Sequence, residues 1–355
     1  RTAVLDRYGN AVDGETVSFT VIQGGGGLAA SQRVTRADGV SSVMLGTGTA
    51  AGLNRVRASI LDGSPAELET NTWDVQTVPR GDVAYVLLSI DGDHFTAGEN
   101  FSGTVSAYDA NGNRITADDT TRLVPVSEAG LVGFFPDTLT LGGGEAAFDA
   151  VSTVVGTDRV AILSIAGDTL SSPSLGETLT FSSAPAYRIS QVSGDTTGVV
   201  AGDDVILAAR VRDEWGNPVG GEVVWFDVTS DLGGDPLLTD ATGAPNDGVV
   251  ATDAAGLAWV TLTTDTIAGE NTVEALILDG DPAERERTAF SVSTAAGSIS
   301  RFTIVPASYA PTAGQDFDVL VVAYDPNDNP AYGDDTTVVD LGADRFVSWS
   351  VNPVT

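Results

Sequence analysis

Apolar and polar residues alternate with a period of two in short runs along most of the chain. In the clearest runs, Phe317, Val319, Val321 and Ala323 fall on one face, as do Val205, Leu207, Ala209 and Val211. This is the pattern of a strand with one buried face. Between residues 185 and 296 the alternation predicts strands near 186–193, 204–213, 222–229, 257–264, 271–279 and 286–293. Clusters of Gly, Pro, Asn and Asp separate them, as turns require. No ten-residue stretch places apolar residues at i, i+3, i+4 and i+7 between helix caps, so helix content should be very low. About seven short strands per ~110 residues point to a two-sheet sandwich of immunoglobulin type. Trp225 and Trp259 fall on strands, facing outward or towards domain contacts.

Self-comparison shows how the sandwiches are arranged. GLNRVRASILDGSPAE, from Gly52 to Glu67, recurs as GENTVEALILDGDPAE from Gly269 to Glu284, an offset of 217 with eleven of sixteen positions identical. AYDANGNRITADDTT, from Ala107 to Thr121, recurs as AYDPNDNPAYGDDTT from Ala323 to Thr337, offset by 216. Upstream, DRYGNAV (Asp6 to Val12) matches DEWGNPV (Asp213 to Val219) at 207. A ten-residue loop insertion between Leu232 and Gly248 accounts for the difference, and loops absorb such changes cheaply. The repeating unit is a pair of domains, and a Gly-Asn or Asn-x-Asn turn after an alternating strand echoes within each pair.

The expected organisation is therefore all-β, with tandem immunoglobulin-like sandwiches in an elongated array. Residues 1–78 form a domain lacking its first strand, 79–184 and 185–296 form two further domains, and 297–355 form the N-terminal half of a fourth. Arg1 aligns with Ala208 inside a strand, and Thr355 with Leu139 midway through a domain. Flanking sequence of the same polypeptide, or a strand donated by a neighbour, is expected to complete both ends.

Composition narrows the partners. All 17 basic residues are arginine, 36 of the 49 acids are aspartate, and the net charge is −32. With 42% hydrophobic residues, that charge belongs to the surface of a folded chain and not to a disordered tail. Nucleic acid is disfavoured because its affinity comes from cationic side chains displacing counterions. The absence of cysteine excludes disulfides and thiolate chemistry. Val86-Leu87-Leu88-Ser89-Ile90 is far short of the ~20 residues that span a bilayer, so membrane insertion of this segment is not expected. Arg1-Thr2-Ala3-Val4 does not open a signal peptide.

A family resemblance rests on particular residues. Asp213-x-x-Gly216-Asn217-Pro218-Val219 is followed by an alternating strand from Glu222 to Val228, a strand start at Asp253-Ala254-x-Gly256-x-Ala258, and Ala268-Gly269-x-Asn271-x-Val273. This order resembles bacterial immunoglobulin-like domains of the intimin and invasin type. The first domain repeats most of it with Asp6, Gly9, Asn10, Gly39, Gly52, Asn54 and Val56, although Arg36 stands where the third domain has an acid. The second and fourth follow it only loosely. The resemblance implies an extracellular or cell-surface location and a spacer role in a repeat protein.

The strongest candidate for chemistry is Asp325-Pro326-Asn327-Asp328-Asn329, with its counterpart Asp109, Asn111 and Asn113. Several hard oxygen donors in close succession could bind Ca2+, and the run resembles the calcium-binding linker of cadherins. The same residues are those that tight turns prefer, and a turn needs no cofactor. The pairs Asp91/Asp93, Asp118/Asp119, Asp279/Asp281 and Asp334/Asp335 could join such sites, although paired acids are expected on so acidic a surface; as general acid and base, two carboxylates would need a concave setting. His94, the single histidine, has no serine motif near it and is expected in an exposed loop. The glycine runs Gly24 to Gly27 and Gly142 to Gly144 precede strands, so they do not cradle phosphate at a helix start; they read as flexible loops.

The reading that follows is a non-catalytic extracellular structural segment: spacer or building block of an adhesin, stalk, surface layer or filament. Its partners would be neighbouring copies or flanking domains of the same polypeptide. The alternative is a carbohydrate- or protein-binding adhesion module that uses sandwich-end loops and exposed Trp215, Trp225 and Trp349, meeting a cell-surface or glycan ligand. A hydrolase using paired aspartates comes last.

Overall fold

A computed structural model describes residues 1–60, 69–164, 176–230, 232–240, 243–245, 247–277 and 286–342. Every regular element among them is a β-strand. The chain divides into two compact units, Arg1–Ser182 and Ser183–Thr355.

In the second unit, a four-stranded sheet runs in the order Arg188–Ser193, Asp204–Arg212, Leu257–Thr263, Leu237–Thr239. It faces a five-stranded sheet ordered Thr196–Val200, Arg287–Ala295, Glu270–Ile277, Val223–Ser230, Val249–Ala251. Period-2 alternation sends one face of each sheet inward, where Leu207, Ala209, Val211, Val260, Leu262, Val273 and Phe226 are fully buried. The Phe226 and Phe290 rings lie on the inner face of the five-stranded sheet, on the two strands that flank Glu270–Ile277, with centroids 5.9 Å apart. Residues 301–342 add an antiparallel hairpin, Arg301–Pro306 with Val319–Tyr324.

The first unit holds a sandwich of the same topology. Tyr85–Ile90, Asn100–Tyr108, Glu145–Ser152 and Val132–Phe135 form its four-stranded sheet. His94–Thr96, Glu177–Ser182, Gly156–Ser164, Arg122–Ser127 and Leu139–Thr140 form the five-stranded one. Phe95, Phe101 and Phe181 cluster in its core. Preceding it, Gln32–Val34, Thr16–Gln23, Gly52–Ile60 and Thr70–Thr77 make one sheet, whose inner residues Val17, Phe19, Val56 and Ala58 pack with Val4.

Several strands escape a reading by alternation, Val249–Ala251 among them, and three show why. Thr196–Val200 and His94–Thr96 pair in parallel with the last strand of their sandwich, a non-local pairing invisible in short windows. His94 thus sits on an exposed edge strand and not in a loop, its Nδ1 2.8 Å from the Asp93 carboxylate. Inside the 232–248 insertion, Leu237–Thr239 joins the sheet because Leu238 is buried in the core. Gly144 is not a flexible loop glycine either: at φ +76° its missing Cβ would lie 1.9 Å from the Ile115 carbonyl, so only glycine fits. The closing parts of the 217-offset repeats, Asp279, Asp281 and Trp349 lie outside the described residues.

Candidate functional site

The same turn closes four strands. At Asp6, Asp109, Asp213 and Asp325, the backbone N–H donates to the carbonyl of the Asn four residues on, at 2.8 to 3.0 Å. The Asp Oδ1 accepts the N–H groups two and four residues later, at 2.8 to 3.0 Å. The Asn Nδ2 donates back to Asp Oδ2 at 2.8 to 3.0 Å. The residue before the Asn takes a left-handed backbone: Gly9 at φ 86°, Gly112 at 79°, Gly216 at 89° and Asp328 at 68°. Asx turns of this kind use Asp for its local acceptor and Gly for positive φ.

In three of the four turns the carboxylate also holds the chain that leads into its own domain. Arg80 N–H donates to Asp109 at 3.0 Å, Ala184 N–H to Asp213 at 3.0 Å and Gly297 N–H to Asp325 at 2.9 Å. Asp109, Asp213 and Asp325 are correspondingly buried. Within the first unit, Asn113 reaches the loop of the preceding sandwich: Oδ1 accepts from Ala51 N–H at 2.7 Å, and Nδ2 donates to the Thr49 carbonyl at 2.8 Å. Within the second unit, Asn329 treats Ala268 N–H and the Thr266 carbonyl identically, again at 2.7 and 2.8 Å. One amide thus satisfies both polarities of a backbone segment across a domain junction.

These contacts set the electrostatics. The Asn113 amide, followed by backbone N–H groups that outweigh the cost of burial, pulls Asp109 down to about 2. For Asp325, burial alone would raise the pKa, but the Asn329 amide and the N–H groups of Gly297, Asn329 and Asn327 more than offset it and leave the carboxyl below its ordinary range.

Of the residues expected from the motif, the structure brings Asp109 to Asn113 and Asp325 to Asn329. Asn111, Asn327 and Asp328 are exposed, and Asp328 pairs with Arg301 at 2.8 Å. A calcium ion takes six to eight oxygens, whereas both oxygens of Asp109 and Asp325 already accept N–H groups. Among the described residues, no three His, Cys, Asp or Glu side chains group to hold a metal. Asp118 accepts from Thr120 N–H at 2.8 Å and Thr121 Oγ1 at 2.5 Å; Asp334 repeats this with Thr336 and Thr337. Asp119 caps Gly143 N–H at 2.6 Å.

Two further loop anchors went unread in the sequence. Asp265, fully buried, accepts N–H groups of Leu232, Gly234 and Ile267 at 2.7 to 3.0 Å. Asp158 accepts those of Ala129, Leu131 and Arg159 at 2.6 to 3.0 Å, and the Ser127 hydroxyl. Asp265 stands among Thr263, Thr264 and Thr266, and Asp158 between Thr157 and Arg159, so no local sequence signal marked either as buried. As for the tryptophans, Trp215 is 47% exposed in its turn and Trp259 40% exposed on its strand. Trp225 is half-buried on the opposite sheet, with Nε1 donating to the Asp247 carbonyl at 3.0 Å.

Sheet order, parallel edge strand and repeated turn define tandem immunoglobulin-like sandwiches. No family model matches the chain. Among curated proteins, it is similar to the inverse autotransporter adhesin YeeJ of Escherichia coli K12, 25% identical over 307 residues, which is 83% of this chain and 12% of that protein. Among solved structures, the Escherichia coli adhesin FdeC is 20% identical with a TM-score of 0.46, covering 80% of this chain and 89% of that one. Invasin, described as a bacterial integrin-binding protein, is 16% identical with a TM-score of 0.43, covering 84% and 57%. InvD of Yersinia pseudotuberculosis is 17% identical with a TM-score of 0.44, covering 81% and 90%. The chain thus spans only 12% of the length of the curated relative it matches.

Proposed function

We propose that this chain is a non-catalytic spacer segment of a surface adhesin, whose sandwiches are joined through Asp-x-x-x-Asn turns without any cation or cofactor. The observation that carries the reading is the repeated grip of Asn113 on Thr49 and Ala51 and of Asn329 on Thr266 and Ala268. A junction held by a two-way backbone contact resists bending, and an array of such junctions lengthens by adding repeats. The carboxylates support the non-catalytic role: Asp109 and Asp334 are held low, the reverse of the raised pKa a general acid needs. Recognition of glycan or protein through tryptophans is the lesser reading, since Trp225 is tied to Asp247 and lies on a different sheet from Trp259.

The absence of cysteine makes the test direct. Spin labels on Thr20→Cys and Ser102→Cys, both exposed in the first unit, report the distance between its two sandwiches. Asn113→Ala should broaden that distribution while each sandwich still melts cooperatively, and Ca2+ or chelator should leave the parent distribution unchanged. An unchanged width in the variant, or a width set by Ca2+, would overturn the reading.

A further inference from the structure

The outer faces of topologically equivalent sheets in the two nine-stranded sandwiches carry opposite chemistry. In the 188–295 sandwich, the outer face of the four-stranded sheet presents Arg188, Arg210 and Arg212 beside Ile206, Trp259 and Leu237. Arg188 lies opposite Arg212 and Ala208 opposite Trp259 in the register. Ile206 is 61% exposed, Leu237 44% and Trp259 40%. The Nε of Arg210 is buried with no hydrogen-bond partner among the described residues, a desolvated donor with nothing to receive it. Asp204, at the edge of this face, already accepts the Thr263 hydroxyl at 2.6 Å. In a chain of net charge −32, three arginines on one sheet face are a local reversal of sign.

The 85–182 sandwich has the same strand order, so its residues can be compared place by place. Ser106 stands for Arg210, Ser102 for Ile206 and Ala147 for Trp259. The backbone is indifferent to these exchanges, which means packing did not impose them. In their stead this face carries Asp149 in register with exposed Phe135, and Glu145 in register with Ser106 and Leu87. Glu145 already pairs with Arg114, which leaves Asp149 as its open carboxylate.

We infer that the arginine face of one copy docks on the Asp149 face of a second copy. Arg210 meets Asp149, and Trp259 and Ile206 cover Phe135 and Leu87. Four strands by about seven residues give roughly 400 Å² per face from strand spacing and rise. That is about half of what a stable partner contributes, so a single contact is weak and gains strength by repetition along laterally aligned chains. The inference does not depend on the spacer reading, because the faces exist whether or not the junctions are stiff.

Salt distinguishes this docking from unspecific association. At ~0.01 M salt the Debye length is ~30 Å and the net charges repel; at ~0.1 M it is ~10 Å, which screens the far field but not charges in contact; at ~1 M it is ~3 Å. Sedimentation of the full chain should show self-association strongest near ~0.1 M and weaker at both extremes. Arg210→Asp and Asp149→Arg should each weaken it about tenfold or more, and an equimolar mixture of the two variants should restore it, since the altered faces then complement each other. Trp259→Thr should weaken it without altering the charge. Asp149 and Trp259 are exposed and Arg210 is half-buried, so unchanged melting of each variant verifies the fold. A chain that sediments as a monomer at all three salts overturns the inference, as does association that the variants leave intact or that mixing fails to restore. So does a monomeric chain that instead binds a carboxylated polysaccharide through Arg210.

Discussion

Asp109 and Asp328 occupy corresponding turns and behave as opposites. Asp109 is an acceptor sunk among N–H groups, and its pKa is held at about 2. A carboxyl whose folded pKa lies below its unfolded value adds stability above the ordinary carboxylate pKa and loses it as pH falls through the folded one. The first unit should therefore weaken progressively between about pH 4 and about pH 2, measured by denaturant midpoints across that range, and Asp109→Asn should flatten that dependence. Asp328 instead takes the left-handed backbone that Gly9, Gly112 and Gly216 hold in the other turns. Asp328→Gly should stabilise the hairpin by about 0.5 kcal/mol, as relief of positive φ exceeds the loss of an exposed ion pair with Arg301. Scanning calorimetry gives the sign. Asp158→Ala should cost the first unit about 3 kcal/mol, because three N–H groups and a hydroxyl lose their acceptor in a buried site.

The strand Asn100–Tyr108 shows how an element is fitted to its neighbour. Gly103 pairs with Phe148, and a Cβ at 103 would lie 2.3 Å from the Phe148 ring. A glycine weakens a strand, but here its missing side chain is the space the ring fills, and Phe134 meets the same ring edge-on at 5.5 Å. Gly103→Ala should destabilise the first unit by about 1–3 kcal/mol through overpacking, in spite of alanine's better strand entropy, and Phe148→Leu in the same chain should recover part of the loss. A chemical denaturation series of the two variants and their combination measures the coupling. The alternation of Asp204–Arg212 and Val319–Tyr324 was readable as strand pattern. The parallel pairing of Thr196–Val200 was not, because five half-exposed residues carry no periodic signal of their own.

Taken whole, the chain balances a surface charge of −32 against small cores. Self-repulsion of that size opposes compactness, and screening relieves it. Melting temperature should rise between ~0.01 M and ~0.5 M NaCl, with no added effect of Ca2+ beyond its ionic strength; a specific Ca2+ increment would assign the turns a metal.

The amino-acid order alone determined the class of fold, the paired repeat and the positions of the turns. Period-2 burial and turn chemistry are local properties, written within ten residues of where they act. It placed Asp109, Asn113, Asp325 and Asn329 together as one motif but left open whether they bind a cation or close a turn, since the same oxygens serve both. Only the tertiary structure decided where those oxygens point: the carboxylate towards N–H groups nearly thirty residues upstream, and the amide towards a loop more than sixty residues upstream. It also decided which outward residues share a face. Arg188, Arg210, Arg212 and Trp259 are scattered along seventy residues of sequence, and register across three strands makes them one surface.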